Sequence, residues 1–247
     1  MRPERAVLFG LGLFLAAGCS TQDPPAPAGP PPVPGAAAGV AVTPSRAPRM
    51  DDRLIRAAAR GDLDAVRLAH ARGASVEARD DQGRTALVAA AYGNHLGVAR
   101  FLSDAGADVN AKDETVQSAY LIATAEVGDD PRLLDLAIAS GARINDKDSF
   151  NGTALIRAAD RGYPRVVKRL LREDIDIDHV NRLGWTALHE AIILGDGSAR
   201  YVEVVDLLVA AGADVSLRSR DDGLSPVEHA QARGYDEMVE ILRSAQG

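Results

Sequence analysis

Cysteine is almost missing from this chain: of 247 residues, only Cys19 carries a thiol. A single cysteine excludes an internal disulfide framework and a cysteine-based zinc site. Aromatic residues are scarce, at 4%, so large rings cannot fill the interior. With 46% hydrophobic residues, the core must be built from Ala, Val and Leu, which suits helices packed closely through small side chains. Positive charge is in deficit. The 28 Lys and Arg against 35 Asp and Glu leave a formal net charge of -7, the wrong sign for a protein that neutralises nucleic-acid phosphates. No G-x-S-x-G, Walker loop or nucleotide-binding glycine pattern is present. The five histidines (His70, His95, His179, His189 and His229) show no H-x-x-x-H spacing. No catalytic residue, metal ligand or cofactor is therefore nominated. Asp174 to Asp178 superficially suggests a calcium loop but lacks its glycine and glutamate, with His179 and Trp185 in their places. Ile175 and Ile177 are expected to pack inward there, with the aspartates facing water.

What the chain does contain begins with a basic start, Arg2 and Arg5, followed by an uncharged apolar run from Ala6 to Ala17. That run is shorter than the ~20 residues a membrane-spanning helix needs, and its grammar reads as a secretory signal over residues 1–18. The segment Leu15-Ala16-Ala17-Gly18-Cys19 resembles the lipobox of bacterial lipoproteins. The resemblance implies cleavage after Gly18 and acylation of Cys19, which would fix the chain to a lipid bilayer. Ser20, rather than Asp, implies sorting to the outer membrane, facing the periplasm. Residues 20–49 then hold nine of the thirteen prolines. Residues 19–49 are expected to form a lipidated, extended, disordered tether reaching at most roughly 90 Å, at ~3.1 Å per residue.

Beyond Met50 the sequence repeats. Leu54, Leu87, Leu121, Leu155, Leu188 and Val227 fall 33, 34, 34, 33 and 39 residues apart, and a Gly or Asn follows each by seven positions. Gly-Ala pairs at 73, 106, 141 and 212 close the units. Gly83-Arg84-Thr85-Ala86-Leu87, Gly184-Trp185-Thr186-Ala187-Leu188-His189 and the stretch from His95 to Asp113 resemble ankyrin repeats, whose period is near 33. The resemblance implies an all-α repeat, a solenoid of about six helix-turn-helix units with β-hairpin fingers over residues 50–247. The units lie near 52–80, 81–113, 114–148, 149–181, 182–220 and 221–247. The family's inter-turn histidine bond can survive only at His189. Asp130 is expected to cap a helix that has Pro131 in its first turn, and Asp174 to stand where a left-handed glycine ends the helix elsewhere. Five extra residues near Gly195–Arg200 are expected to bulge between two helices. Polar end caps are read at Asp52, Arg53 and Arg56, and again at Asp236, Glu237, Glu240 and Arg243.

In that family, partners dock on finger tips and on the exposed ends of the first helices. From the fourth unit on, these positions hold Phe150, Leu183, Trp185, Ile193, Leu194 and Leu224, with Arg161 and Arg182 beside them. Apolar side chains in such places call for a cover. Either a partner supplies it, or Trp185 lies flat on its own finger while the inserted residues seal Ile193 and Leu194. The expected function is protein–protein binding, as a monomeric scaffold or accessory of an envelope enzyme. The alternative is an immunity or inhibitor protein that blocks an envelope toxin or enzyme.

Overall fold

The computed structural model describes residues 49–245. The signal at 1–18, the acylated Cys19 and the tether up to residue 48 lie outside the described residues. Arg49, placed by sequence at the end of the tether, already serves the fold: its N–H donates to Asp52 Oδ2 at 3.1 Å across the first helical turn.

Twelve helices occur among the described residues: α1 (Met50–Ala59), α2 (Leu63–Ala71), α3 (Ala86–Tyr92), α4 (Leu96–Asp104), α5 (Ala119–Ala125), α6 (Arg132–Ala139), α7 (Ala154–Arg161), α8 (Pro164–Leu170), α9 (Ala187–Ile193), α10 (Ala199–Ala210), α11 (Pro226–Arg233) and α12 (Asp236–Ser244). They form six helical pairs. The first helices touch in the order α1, α3, α5, α7, α9, α11, and the second helices in the runs α2, α4, α6 and α8, α10, α12. Helices of seven to twelve residues are too short to persist alone in water. Their stability comes from stacking. Leu54, Leu87, Leu121, Leu155 and Leu188 are buried, and so are the alanines that let first helices approach: Ala58, Ala91, Ala159 and Ala191.

The start of the first helices is set by a hydroxyl. Thr85, Ser118, Thr153, Thr186 and Ser225 each accept the N–H three residues on, a cap worth about 1 kcal/mol each. At Thr186 the histidine three residues on closes a box, with His189 Nδ1 2.9 Å from Thr186 Oγ1. Gly73, Gly106, Gly141 and Gly212 end second helices in the left-handed region, at φ 87, 89, 87 and 93°. The fourth unit differs from expectation. Asp174 is not left-handed; α8 stops at Leu170, and the Glu173 N–H turns back to the Leu170 carbonyl at 3.0 Å. Asp130 is displaced too: Pro131 occupies the cap position of α6, and Asp130 Oδ1 accepts from the Arg132 N–H at 3.1 Å.

The fingers are turns rather than β-hairpins. Among the described residues there are no strands, only one isolated bridge, between Lys147 and Thr153. An acceptor side chain does the work that a strand ladder would do. Asp80 Oδ1 accepts from the Gln82 and Arg84 N–H groups at 3.0 and 2.9 Å. Asp113, Asp148 and Asn181 repeat the pattern in the next three fingers. The turn needs one residue at positive φ, held by Gly83, Asn151, Gly184 and Gly223 at 70, 61, 84 and 72°. In the third unit that residue is Val116, at φ 64°. A β-branched side chain there costs about 1–2 kcal/mol. Val116→Gly is therefore expected to raise the free energy of unfolding by about 1 kcal/mol, after the entropy that glycine adds to the unfolded chain. Urea midpoints of the two proteins check it; an unchanged or lowered midpoint would show the valine to be unstrained.

Adjacent units are fastened by rings over glycines. Tyr201 lies against Gly162, where an added Cβ would come within 2.8 Å of its ring, and its hydroxyl donates to the Asp160 carbonyl at 2.9 Å. Tyr235 covers Gly197 in the same way and donates to the Gly195 carbonyl at 3.0 Å. His95 does likewise over Gly61, with Nε2 3.2 Å from the Ala59 carbonyl. The fifth unit's extra residues do not simply bulge. Helix α10 has 12 residues where α4 and α12 have 9, so part of the insertion becomes added helix carrying Tyr201 to its latch.

Candidate partner-binding surface

The side chains singled out by sequence fall into two exposure classes. Phe150, Leu183 and Leu194 are exposed, at 58, 49 and 38%. Trp185, Ile193 and Leu224 are half-buried. Neither sequence alternative holds whole: the insertion does not seal Leu194, and Trp185 is not freely presented.

Phe150 and Leu183 are brought together by backbone. Asp148 shapes the fourth finger so that the Phe150 N–H is held at 2.8 Å, and Asn181 holds the Leu183 N–H at 2.9 Å. The Arg182 N–H then donates to the Phe150 carbonyl at 3.0 Å, joining the two tips. The next finger joins through the Arg220 N–H to the Gly184 carbonyl at 3.3 Å. Arg182, next to Leu183 in the chain, is exposed. Arg161 and Leu194 instead sit at the ends of the first helices α7 and α9. Arg161 faces Glu126 of the preceding unit, Nη2 to Oε1 at 3.9 Å, and its side chain remains 46% exposed. An exposed pair of this kind contributes little to stability and is free to exchange partners.

The same units carry a set of ionic groups that range from exposed to buried. Arg157 reaches Asp148 Oδ2 at 2.8 Å and Glu126 Oε1 at 3.2 Å, tying finger, helix and preceding unit together. Glu190 is 4% exposed and accepts from Asn181 Nδ2 at 2.6 Å. Burial, reinforced by the Asp160 carboxylate, pushes Glu190 up to about 7. Burial also raises Asp160, against the pull of Arg161 and Arg157. His189 and His229 meet edge to face at 5.9 Å. Burial, with the neighbouring His229 adding to it, draws His189 down to about 4. No cluster of three or more His, Cys, Asp or Glu that could hold a metal occurs among the described residues.

Sequence reasoning passed over Leu68, which is 52% exposed. It also passed over the acceptor at the base of each finger. The signal was present: Asp80, Asp113, Asp148 and Asn181 each stand five residues before the capping hydroxyl.

Models of ankyrin repeats match this chain over residues 54–103 and 121–219. The ankyrin repeat protein YahD of Escherichia coli K12 is 35% identical over 190 residues, 76% of this chain and 93% of that protein. The crystal structure of an ankyrin repeat domain from Acinetobacter baumannii AYE is 40% identical, with a TM-score of 0.73 over 78% of this chain and 97% of that one. A chain in the complex of the Bdellovibrio bacteriovorus endopeptidase Bd0816 with immunity protein Bd3460 is 24% identical, with a TM-score of 0.66 over 78% of this chain and 97% of that one, and shares the fold. With six helical pairs, hydroxyl-capped first helices and relatives matched along nearly their whole length, the chain belongs to the ankyrin-repeat family, whose repeats serve as protein–protein interaction modules.

Proposed function

We propose that this chain is a lipid-anchored ankyrin module that holds a protein partner at the bacterial envelope, facing the periplasm. The anchor rests on the lipobox-like sequence ending at Cys19 and on the proline-rich stretch behind it. The partner surface rests on one observation: Phe150 and Leu183, two exposed large apolar side chains, stand on neighbouring finger tips tied by a backbone hydrogen bond. Rigid tips need little ordering on association, which lowers the entropic cost of binding. Aromatic and aliphatic anchors flanked by an arginine such as Arg182 have the composition of interface hot spots.

The partner is best described as a resident envelope protein, for which this chain acts as scaffold or accessory. A second reading, inhibition of an envelope toxin or enzyme, has some support in the fold shared with a chain of the endopeptidase–immunity complex. Both readings place the contact on the same tips. Phe150→Ser with Leu183→Ser is expected to weaken partner retention at least tenfold, because each truncated hot spot commonly costs over 1 kcal/mol. The thermal midpoint should stay within about 2 °C of the parent, since both side chains are exposed and surface changes are near neutral. Undiminished retention by the double variant would remove the tips from the interface. A resident partner would be retained in unstressed cells, whereas a toxin would be retained only when present.

A further inference from the structure

Among the described residues, the first unit leaves one side of its two helices unpartnered, and that side carries an unusual charge. Arg53, Arg56 and Arg60 follow one face of α1, and Arg72 stands at the end of α2. They rim a groove of about 200 Å³ with no carboxylate in its lining. All four are exposed, and none has an ion-pair or side-chain hydrogen-bond partner among the described residues. The groove floor is apolar: Met50, Leu68 and the alanines 57, 65 and 69.

The repeat phase explains the floor and exposes the anomaly. Leu68 occupies the position at which Phe101, Leu207 and Ile241 are half-buried and packed on the core. Among the described residues no unit precedes the first, and Leu68 is left 52% exposed. Arg53 stands where Ala86, Tyr120, Ala154 and Ala187 are buried in later units. A further helical pair could not stack on this face without burying arginine, so the position is adapted to a surface rather than to another repeat.

We propose that this end of the solenoid docks on an anionic phospholipid surface, with the four arginines on headgroup phosphates and Leu68 and Met50 set into the interface. This rests in part on the lipid-anchored reading above, because the chain joins the face at Arg49 and Met50, directly after the tether. Charge complementarity selects the occupant. The tether does not match the face in charge: from Ser20 to Pro48 it has one acid, Asp23, against Arg46. The rest of the molecule, at a net charge of -7 for the whole chain, is repelled by an anionic surface. The basic end would therefore turn toward the bilayer and the apolar finger tips would be held clear of it.

The test uses the chain from residue 19 to 247 carrying Cys19→Ser, so that neither the apolar leader nor an acyl chain contributes. Sedimentation with vesicles of phosphatidylglycerol and phosphatidylcholine is compared with phosphatidylcholine alone. Binding to the anionic vesicles is expected to be at least tenfold stronger and to fade in 0.5 M salt. Arg53→Ala with Arg60→Ala should weaken it about 25-fold, at about fivefold per arginine. Arg100→Ala with Lys168→Ala removes the same charge from exposed sites on α4 and α8 and should leave binding within twofold. Leu68→Ser tests the apolar floor separately and is also expected to weaken binding. Circular dichroism melts of all variants guard against misfolding. Equal binding to both vesicle types, or equal losses from the two double variants, overturns the proposal. So does capture of an acidic peptide by the groove without vesicle binding. The mass of the amino-terminal peptide from cell-made protein reports acylation of Cys19 independently, so the anchor and the docking face can fail separately.

Discussion

At pH 8 the Glu190→Gln protein is expected to be about 2–3 kcal/mol more stable than the parent, and at pH 4.5 the two should coincide. Glu190 is 4% exposed, and burial with the nearby Asp160 carboxylate holds its pKa at about 7 against a reference of 4.5. The folded carboxyl thus binds its proton more tightly than the unfolded one. Its contribution is fully present below about pH 4.5 and is lost as pH rises to about 7. Above that, the parent carries a buried carboxylate held by one hydrogen bond from Asn181. Glutamine keeps that bond through its own carbonyl and has no charge to bury. For a domain of this size the gain corresponds to about 5 °C or more in thermal midpoint. His189 shapes the acid side of both curves with the opposite sign. Its pKa is depressed to about 4 from 6.5, so its contribution is present above about pH 6.5 and lost as pH falls toward 4. Parent and variant should therefore weaken together in acid and separate only as pH rises through 4.5 to 7. Thermal unfolding across that range checks the shape. A difference that is constant with pH would mean that Glu190 is not the titrating group.

Gly195→Ala should cost about 3 kcal/mol, the upper range for overpacking a tight site. An added Cβ there would lie 2.1 Å from the Ala191 carbonyl and 2.9 Å from the Tyr201 ring. Neither neighbour can yield cheaply. The carbonyl belongs to α9, and Tyr201 is 5% exposed with its hydroxyl on the Asp160 carbonyl. Moving Gly195 also disturbs its own carbonyl, which accepts from Tyr235 of the last unit. Because solenoid stability is a sum of unit and interface terms, the loss should be local, and hydrogen exchange should speed up in α9 to α12 before α1 to α6. Gly73→Ala is a useful contrast. Its added Cβ meets nothing within 4 Å, and only its φ of 87° is strained. Equal exchange rates in both halves of the mutated chain would contradict the latch.

The repeat frame was legible in the sequence because its markers are conformational necessities. A left-handed turn asks for Gly at 73, 106, 141 and 212, a helix start asks for Thr or Ser, and close helices ask for Ala. The fingers were misread as β-hairpins because family resemblance named a shape, whereas one aspartate or asparagine per finger closes the turn here. Val116 was illegible as a turn residue, since nothing in its chemistry favours positive φ. The insertion was counted correctly but only part of it bulges between the helices: Ala199 and Arg200 open α10, and the contact of Tyr201 with Gly162 appears only when units five and four are seen together. At the candidate surface, sequence picked out the apolar positions but could not rank their exposure. Trp185 and Leu183 are two residues apart, yet one is half-buried and the other is free.

The most direct test of the account is site-resolved photo-cross-linking in intact envelopes. A photoreactive residue is placed singly at Phe150 or Leu183 on the tips, and at Arg100 or Lys168 on the exposed sides of α4 and α8. The account predicts one and the same protein adduct from both tip positions and none from the helix positions. Adducts from Arg100 and Lys168 with none from Phe150 or Leu183 would place the partner elsewhere and contradict it.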